Sequence, residues 1–168
     1  MSFALIQTVE LASSANVIEF TNIPGDAKDL VLLTSLRGSA YNDYFYYLKW
    51  NGITTSYYNS KIGVDGSTKT GGFAQGQVGI ALQITGNNQP TGTFTTQRID
   101  FYNYAASGVQ KLVGIESAAI RNTTGSNKLF MHGGIQANLT DPITTITLDS
   151  DSAIDFMAGS VVSLYQLL

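Results

Sequence analysis

The feature that most restricts how this chain can fold is hydrophobic alternation with a period of two. Val78, Ile80, Leu82 and Ile84 are apolar, and Gly79, Ala81 and Gln83 between them are small or polar. A half-buried strand requires this pattern, because successive side chains point to opposite faces of a sheet. Phe3, Leu5, Gln7 and Val9 alternate in the same way with Ala4, Ile6 and Thr8. Ile18 and Phe20 share one face of a short run, and Ile99 and Phe101 stand among Gln97, Arg98, Asp100 and Asn103. Further strands are predicted over Leu30–Arg37, Tyr44–Trp50, Val109–Ile120, Lys128–Asn138, Ile143–Leu148 and Val161–Leu167.

Turn-forming residues separate these runs. Pro24-Gly25-Asp26, Gly86–Pro90, Asn122–Asn127 and Asp141-Pro142 read as loops, and Asn51-Gly52 reads as a hairpin turn. Tyr57 to Gly76 is rich in Gly, Ser and Thr and shows no clean alternation, so a long surface excursion is expected there. About ten short strands spaced by such turns predict an all-β fold. The expected architecture is an antiparallel β-sandwich of jelly-roll type, one domain over residues 1–168. Its predicted core is Ile6, Ile18, Phe20, Leu32, Val78, Ile80, Leu82, Ile84, Ile99, Phe101, Ile146, Leu148, Val162 and Leu164.

Composition narrows the function. Charged residues are 12% of the chain, against about 25% in an average domain. Gly, Thr, Ser and Asn supply 61 of the 168 residues instead. Nine basic residues against twelve acidic ones, with no basic run, argue against a nucleic-acid partner. The absence of cysteine excludes disulfides, thiolate nucleophiles and Cys-ligated zinc. Met1–Gln7 lacks the basic start of a secretory signal, and no apolar run approaches the ~20 residues of a membrane span. No membrane association and no secretion are expected.

Candidate chemical groups are few. His132, the single histidine, has no acid or nucleophile near it in sequence and reads as an ordinary strand residue. Asp149, Asp151 and Asp155 could wrap a hard cation, but the further oxygen ligands of a calcium loop are missing. An acidic turn is the simpler reading. Glu116 and Asp100 could form a glycosidase pair only in the weak sense that any two carboxylates could. Gly71-Gly72 and Gly133-Gly134 lack the Lys-Ser/Thr ending of a phosphate loop. The sequons at Asn122 and Asn138 are of a kind that chance supplies in a chain rich in Asn and Thr. No catalytic residue, metal site or cofactor is expected.

The densest local signal is aromatic. Tyr41, Tyr44, Phe45, Tyr46, Tyr47, Trp50, Tyr57 and Tyr58 fall within 18 residues. Alternation along Tyr44–Trp50 puts Phe45 and Tyr47 on one face and Tyr44, Tyr46, Leu48 and Trp50 on the other. Rings that are dry at one end and wet at the other suit core, subunit contact or stacking on sugars. Tyr44, Tyr46, Trp50, Tyr57 and Tyr58 are the expected partner interface.

Several segments, in order, carry a resemblance. They are Leu5–Val9, Val17–Pro24, Asp29–Leu32, Leu48–Gly52, Ile99–Tyr104, Ile143–Leu148, Phe156–Ser160 and the closing Ser163-Leu164-Tyr165. Together they resemble a family of small virion structural proteins of tailed bacteriophages, assigned to tail fibres or to the capsid surface. The aromatic run Tyr44–Tyr47 departs from that pattern, where relatives are richer in Ser and Asn. The resemblance implies a non-enzymatic virion component made in the host cytoplasm and carried on the virion surface. The leading expectation is a capsid decoration or head-fibre protein, a homo-oligomer and specifically a trimer, bound to the major capsid protein in many copies. The alternative is a tail-fibre or receptor-binding module that recognises host-surface glycans.

Overall fold

A computed structural model describes residues 2–42, 44–65, 67–121, 126–136, 140–150 and 154–168. It is all-β: two antiparallel sheets packed face to face as a sandwich. The strands are β1 (Phe3–Glu10), β2 (Val17–Phe20), β3 (Asp29–Leu36), β4 (Tyr44–Trp50), β5 (Tyr57–Asp65) and β6 (Thr68–Gln77). They continue as β7 (Ile80–Ile84), β8 (Thr95–Tyr102), β9 (Lys111–Arg121), β10 (Ser126–Gln136), β11 (Ile146–Asp149) and β12 (Val161–Leu167). No helix among the described residues is long and apolar enough to cross a membrane.

The topology is that of one long ribbon rolled up. β1 pairs with β12, β2 with β11, β3 with β8 and β4 with β7. Successive pairs alternate between the sheets, which gives β1-β12-β3-β8 in one and β2-β11-β4-β7 in the other. Eight strands in this order are a jelly roll. Two hairpin excursions from the ribbon enlarge the first sheet. β9–β10 pairs onto β8, and β5–β6 pairs onto β10, so the order runs on as β8-β9-β10-β5-β6.

The two strands beyond the expected number are β5 and β6. The segment expected as a loose excursion is a regular hairpin, with Ser60 opposite Phe73 and Val64 opposite Lys69. Its alternation is faint because neither face of this outlying hairpin is fully dry. The Asn51-Gly52 turn does form, with both residues at positive φ and the Ile53 N–H donating to the Trp50 carbonyl over 3.1 Å. It does not join a hairpin, because the chain crosses from β4 into the other sheet. Instead the Asn51 carboxamide ties down the approach to β11. It donates to Pro142 O at 2.8 Å and accepts from Thr144 N at 2.9 Å.

The core lies between the sheets and follows the predicted inner faces with two exceptions. Ile6 is only partly buried, and Val78 is 46% exposed. Pairing of β7 with β4 stops at Ile80, and Val78-Gly79 bends away before it. The bend needs glycine, because a Cβ at Gly79 would stand 2.9 Å from Tyr47 Cβ and 3.0 Å from Leu48 O.

Among the buried polar side chains, Gln97 links the two sheets. The Gln97 carbonyl accepts from Tyr46 Oη and, at 3.3 Å, from Thr34 Oγ1. Its amide donates to Gln83 O and to Ser117 Oγ, both at 3.2 Å. A carboxamide has two acceptor and two donor sites of this kind, and all four are used. The partners come from β3, β4, β7 and β9, so one side chain links both sheets. Replacing it strands several buried polar groups at about 1–3 kcal/mol each. Gln97→Leu is therefore expected to lower unfolding free energy by about 3 kcal/mol or more, read from the urea midpoint at unchanged slope.

Candidate functional site

The expected aromatic interface divides in two. Tyr46, Trp50 and Tyr57 are fully buried, whereas Tyr44 and Tyr58 are half-buried. Alternation along β4 is as predicted, but the Tyr46 face is the core face. Trp50 stacks edge-on against Tyr57 at 4.9 Å and against Phe101 of the facing sheet at 5.9 Å. Tyr46 meets Phe156 edge-on at 5.6 Å. The Tyr57 hydroxyl accepts from Trp50 N at 3.0 Å and donates to Ile53 O at 3.2 Å. These three rings hold the sheets together and offer no surface to a partner. The assignment of Tyr46, Trp50 and Tyr57 to an interface is thus corrected. Parity separates Tyr57 from Tyr58, whereas Tyr44 shares the face of Tyr46 and Trp50 and is half-buried because it begins the strand.

Of the remaining candidates, those among the described residues are held in structural contacts. Asp149 binds Lys49 at 2.6 Å and closes the end of β11 against β4. Asp155 uses its backbone, accepting from Ser39 N at 2.9 Å. Asp151 lies outside the described residues, and among the described residues no group of acids or histidines could hold a metal ion. Asp100 and Glu116 stand on the outer face of the large sheet, on β8 and β9. Arg98 donates three hydrogen bonds to Asp100, of 2.9, 3.0 and 3.2 Å, and lies opposite Glu116 in register. Asp100 is thereby occupied as an acceptor. The backbone of His132 lies in β10, and its side chain is outside the described residues, as are Asn122 and Asn138.

What the structure does assemble is the outer face of the eight-stranded sheet. The second sheet covers only the inner face, and among the described residues no layer lies over the outer one. Register places Tyr102, Leu112, Ile135 and Tyr58 in one row across β8, β9, β10 and β5. The adjacent row is Asp100, Gly114, Gly133, Ser60 and Phe73. The glycines leave a shallow groove of about 340 Å³, walled by Tyr58, Phe73, Leu112 and Ile135. The Tyr102 ring covers Gly114, where a Cβ would stand 3.1 Å from the hydroxyl oxygen. Leu112 is 49% exposed and Phe73 68%. Phe3, Leu5 and Leu33 extend the apolar surface at the other end of the sheet, beyond the Arg98–Asp100 pair.

Tyr58 is thus the member of the expected interface that reaches this groove. Tyr102, Leu112, Ile135 and Phe73 were missed in the sequence. Their signal was parity: Leu112 alternates with the buried Val113, and Tyr102 with the buried Phe101. Compared with protein-family models, curated proteins and solved structures, the chain matches none.

Burial also sets the behaviour of the tyrosines in alkali. It pushes the Tyr57 phenol up to about 12 from 10.0 and raises Tyr46 and Tyr104 as well. The folded state thus holds these protons more tightly than the unfolded chain. Their stabilising effect is complete below pH 10 and is lost as pH rises toward 12. Phenolate absorbance from these rings should therefore appear together with loss of the far-ultraviolet β signal, not before it. A second expectation separates the two aromatic groups. Trp50→Ala should cost about 3–5 kcal/mol, and Tyr58→Ala under about 1 kcal/mol, by chemical denaturation.

Proposed function

We propose that this protein is a non-enzymatic virion surface protein of a tailed bacteriophage, a capsid decoration or head-fibre component bound in many copies. The single observation that carries the reading is the uncovered outer face of the large sheet, with its aromatic and aliphatic groove. Exposed apolar patches rimmed by polar residues mark docking sites. The arrangement has the parts of an interface: apolar anchors at Tyr58, Phe73, Tyr102 and Leu112 beside the charged pair Arg98–Asp100. Modest contacts of this kind become durable when many identical copies bind one lattice. The ordered resemblance of the chain to tailed-phage virion proteins supports the same reading. The proposed partners are the major capsid protein and further copies of the chain, as a trimer on the capsid surface.

The test is rebinding. Wild-type protein is mixed with phage heads stripped of it, and occupancy is measured beside that of Leu112→Asp. The leucine stands on the outward face, so the variant should fold normally while a charge enters the groove. Occupancy should saturate for the wild type and fall at least roughly tenfold for the variant. Mass photometry of the free protein should give three times the 18.0 kDa of one chain. Equal occupancy for both proteins would remove the groove from the docking surface, and no binding of either to heads would remove the decoration role.

A further inference from the structure

The hairpin β5–β6 overhangs the narrower sheet and approaches its outer side. There the Lys61 ammonium of β5 lies 5.4 Å from the ring centre of Phe45 on β4. Between them is a cleft of about 250 Å³. Its walls are Phe45 and Tyr47 from the outward face of β4, Ala81 from β7, Asn59 and Lys61 from β5, and Gln77 from β6. Asn59 is only 9% exposed, and its amide nitrogen has no hydrogen-bond partner. A buried donor left unpaired is costly, and its retention calls for an explanation.

We propose that this cleft binds one hexopyranose unit of a saccharide. The lining selects the class. It contains no carboxylate, so it does not suit a metal ion. It contains one cation, and that cation is set against an aromatic ring, so it is not a phosphate cradle. Amides and an ammonium make it too polar for a lipid chain. Its volume falls just below the roughly 300–1,000 Å³ of pockets for drug-sized ligands, which suits a single ring. A pyranose has an apolar face of polarised C–H groups and a rim of hydroxyls. The first packs against Phe45 and Tyr47, beside the Lys61 and Lys49 ammoniums that lie 5.4 and 5.7 Å from their ring centres, and the buried Asn59 amide turns into the cleft to donate to the second. The small side chain of Ala81, opposite Tyr47 in register, leaves the room. The cleft shares Asn59 and Phe73 with the groove of the other face, whereas Tyr47 lines the cleft and not that groove, so Tyr47→Ala separates saccharide binding from the docking role.

Saturation-transfer NMR tests it, with methyl glucoside, methyl galactoside and N-acetylglucosamine as free probes at ~1 mM and dextran as a polymer probe. At least one free sugar should show transfer to its ring protons. Dextran transfer would extend the site to units within a chain, whereas transfer from free sugars alone would assign it to terminal units. Tyr47→Ala and Asn59→Leu should each weaken binding roughly tenfold. Asn59→Leu should leave the urea midpoint unchanged or raise it, because it removes an unpaired buried donor. That separates lost recognition from lost folding. No transfer from any free probe, or transfer that persists in either variant, would overturn the proposal.

Discussion

The carboxamide of Gln97 is the interaction on which the sandwich turns. It is buried, it uses every hydrogen-bonding position it has, and its partners belong to strands of both sheets. Apolar packing alone is tolerant of small slides between sheets, since dispersion has little directionality. A saturated amide is not. It fixes β8 at one register against β4 and β7, and the rings of Trp50, Tyr57 and Phe101 then interlock at edge-on angles. The buried tyrosines belong to the same frame. Tyr46 and Tyr57 are in the core because their hydroxyls have partners there, which is the condition for burying a phenol at all.

The second constraint is unequal width. Four strands cannot cover eight, so the strands added beyond the rolled ribbon create surfaces that a plain jelly roll lacks. On the outer side, Gly114 and Gly133 open a groove between aromatic walls. On the inner side, the β5–β6 overhang meets β4 and encloses the Asn59 cleft. Both surfaces depend on β5, which contributes Tyr58 to one and Asn59 to the other. Strand alternation thus lets one short segment serve two surfaces, which meet at Asn59 and Phe73.

Much of the fold was legible in the sequence, and the limits have physical causes. β4 and β12 have the predicted ends, because clean alternation and flanking turns mark them. The β5–β6 hairpin was not legible, since half-wet strands carry no strong contrast between their faces. Val78 continued the alternation of β7 in sequence, yet the bend at Gly79 removed it from the strand. The candidate site was read less well. Local density of aromatic residues drew attention to Tyr46, Trp50 and Tyr57, which are core. Tyr102, Leu112, Ile135 and Phe73 converge only through pairing of strands distant in sequence, and no single window contains them.

The position of β12 has a kinetic consequence. This strand lies between β1 and β3, and without it the two have no contact along their edges. Val162 and Leu164, which it brings into the core, are fully buried. During synthesis β1 and β3 therefore emerge with their central partner still unmade, and their edges stay open until β12 has been made. Pairings so distant in sequence close slowly and expose sticky intermediates while they wait. A low charge content does little to keep such intermediates apart. The sandwich is thus expected to close only once β12 has been made, and its yield should depend more on temperature and concentration during synthesis than on the stability of the finished sandwich.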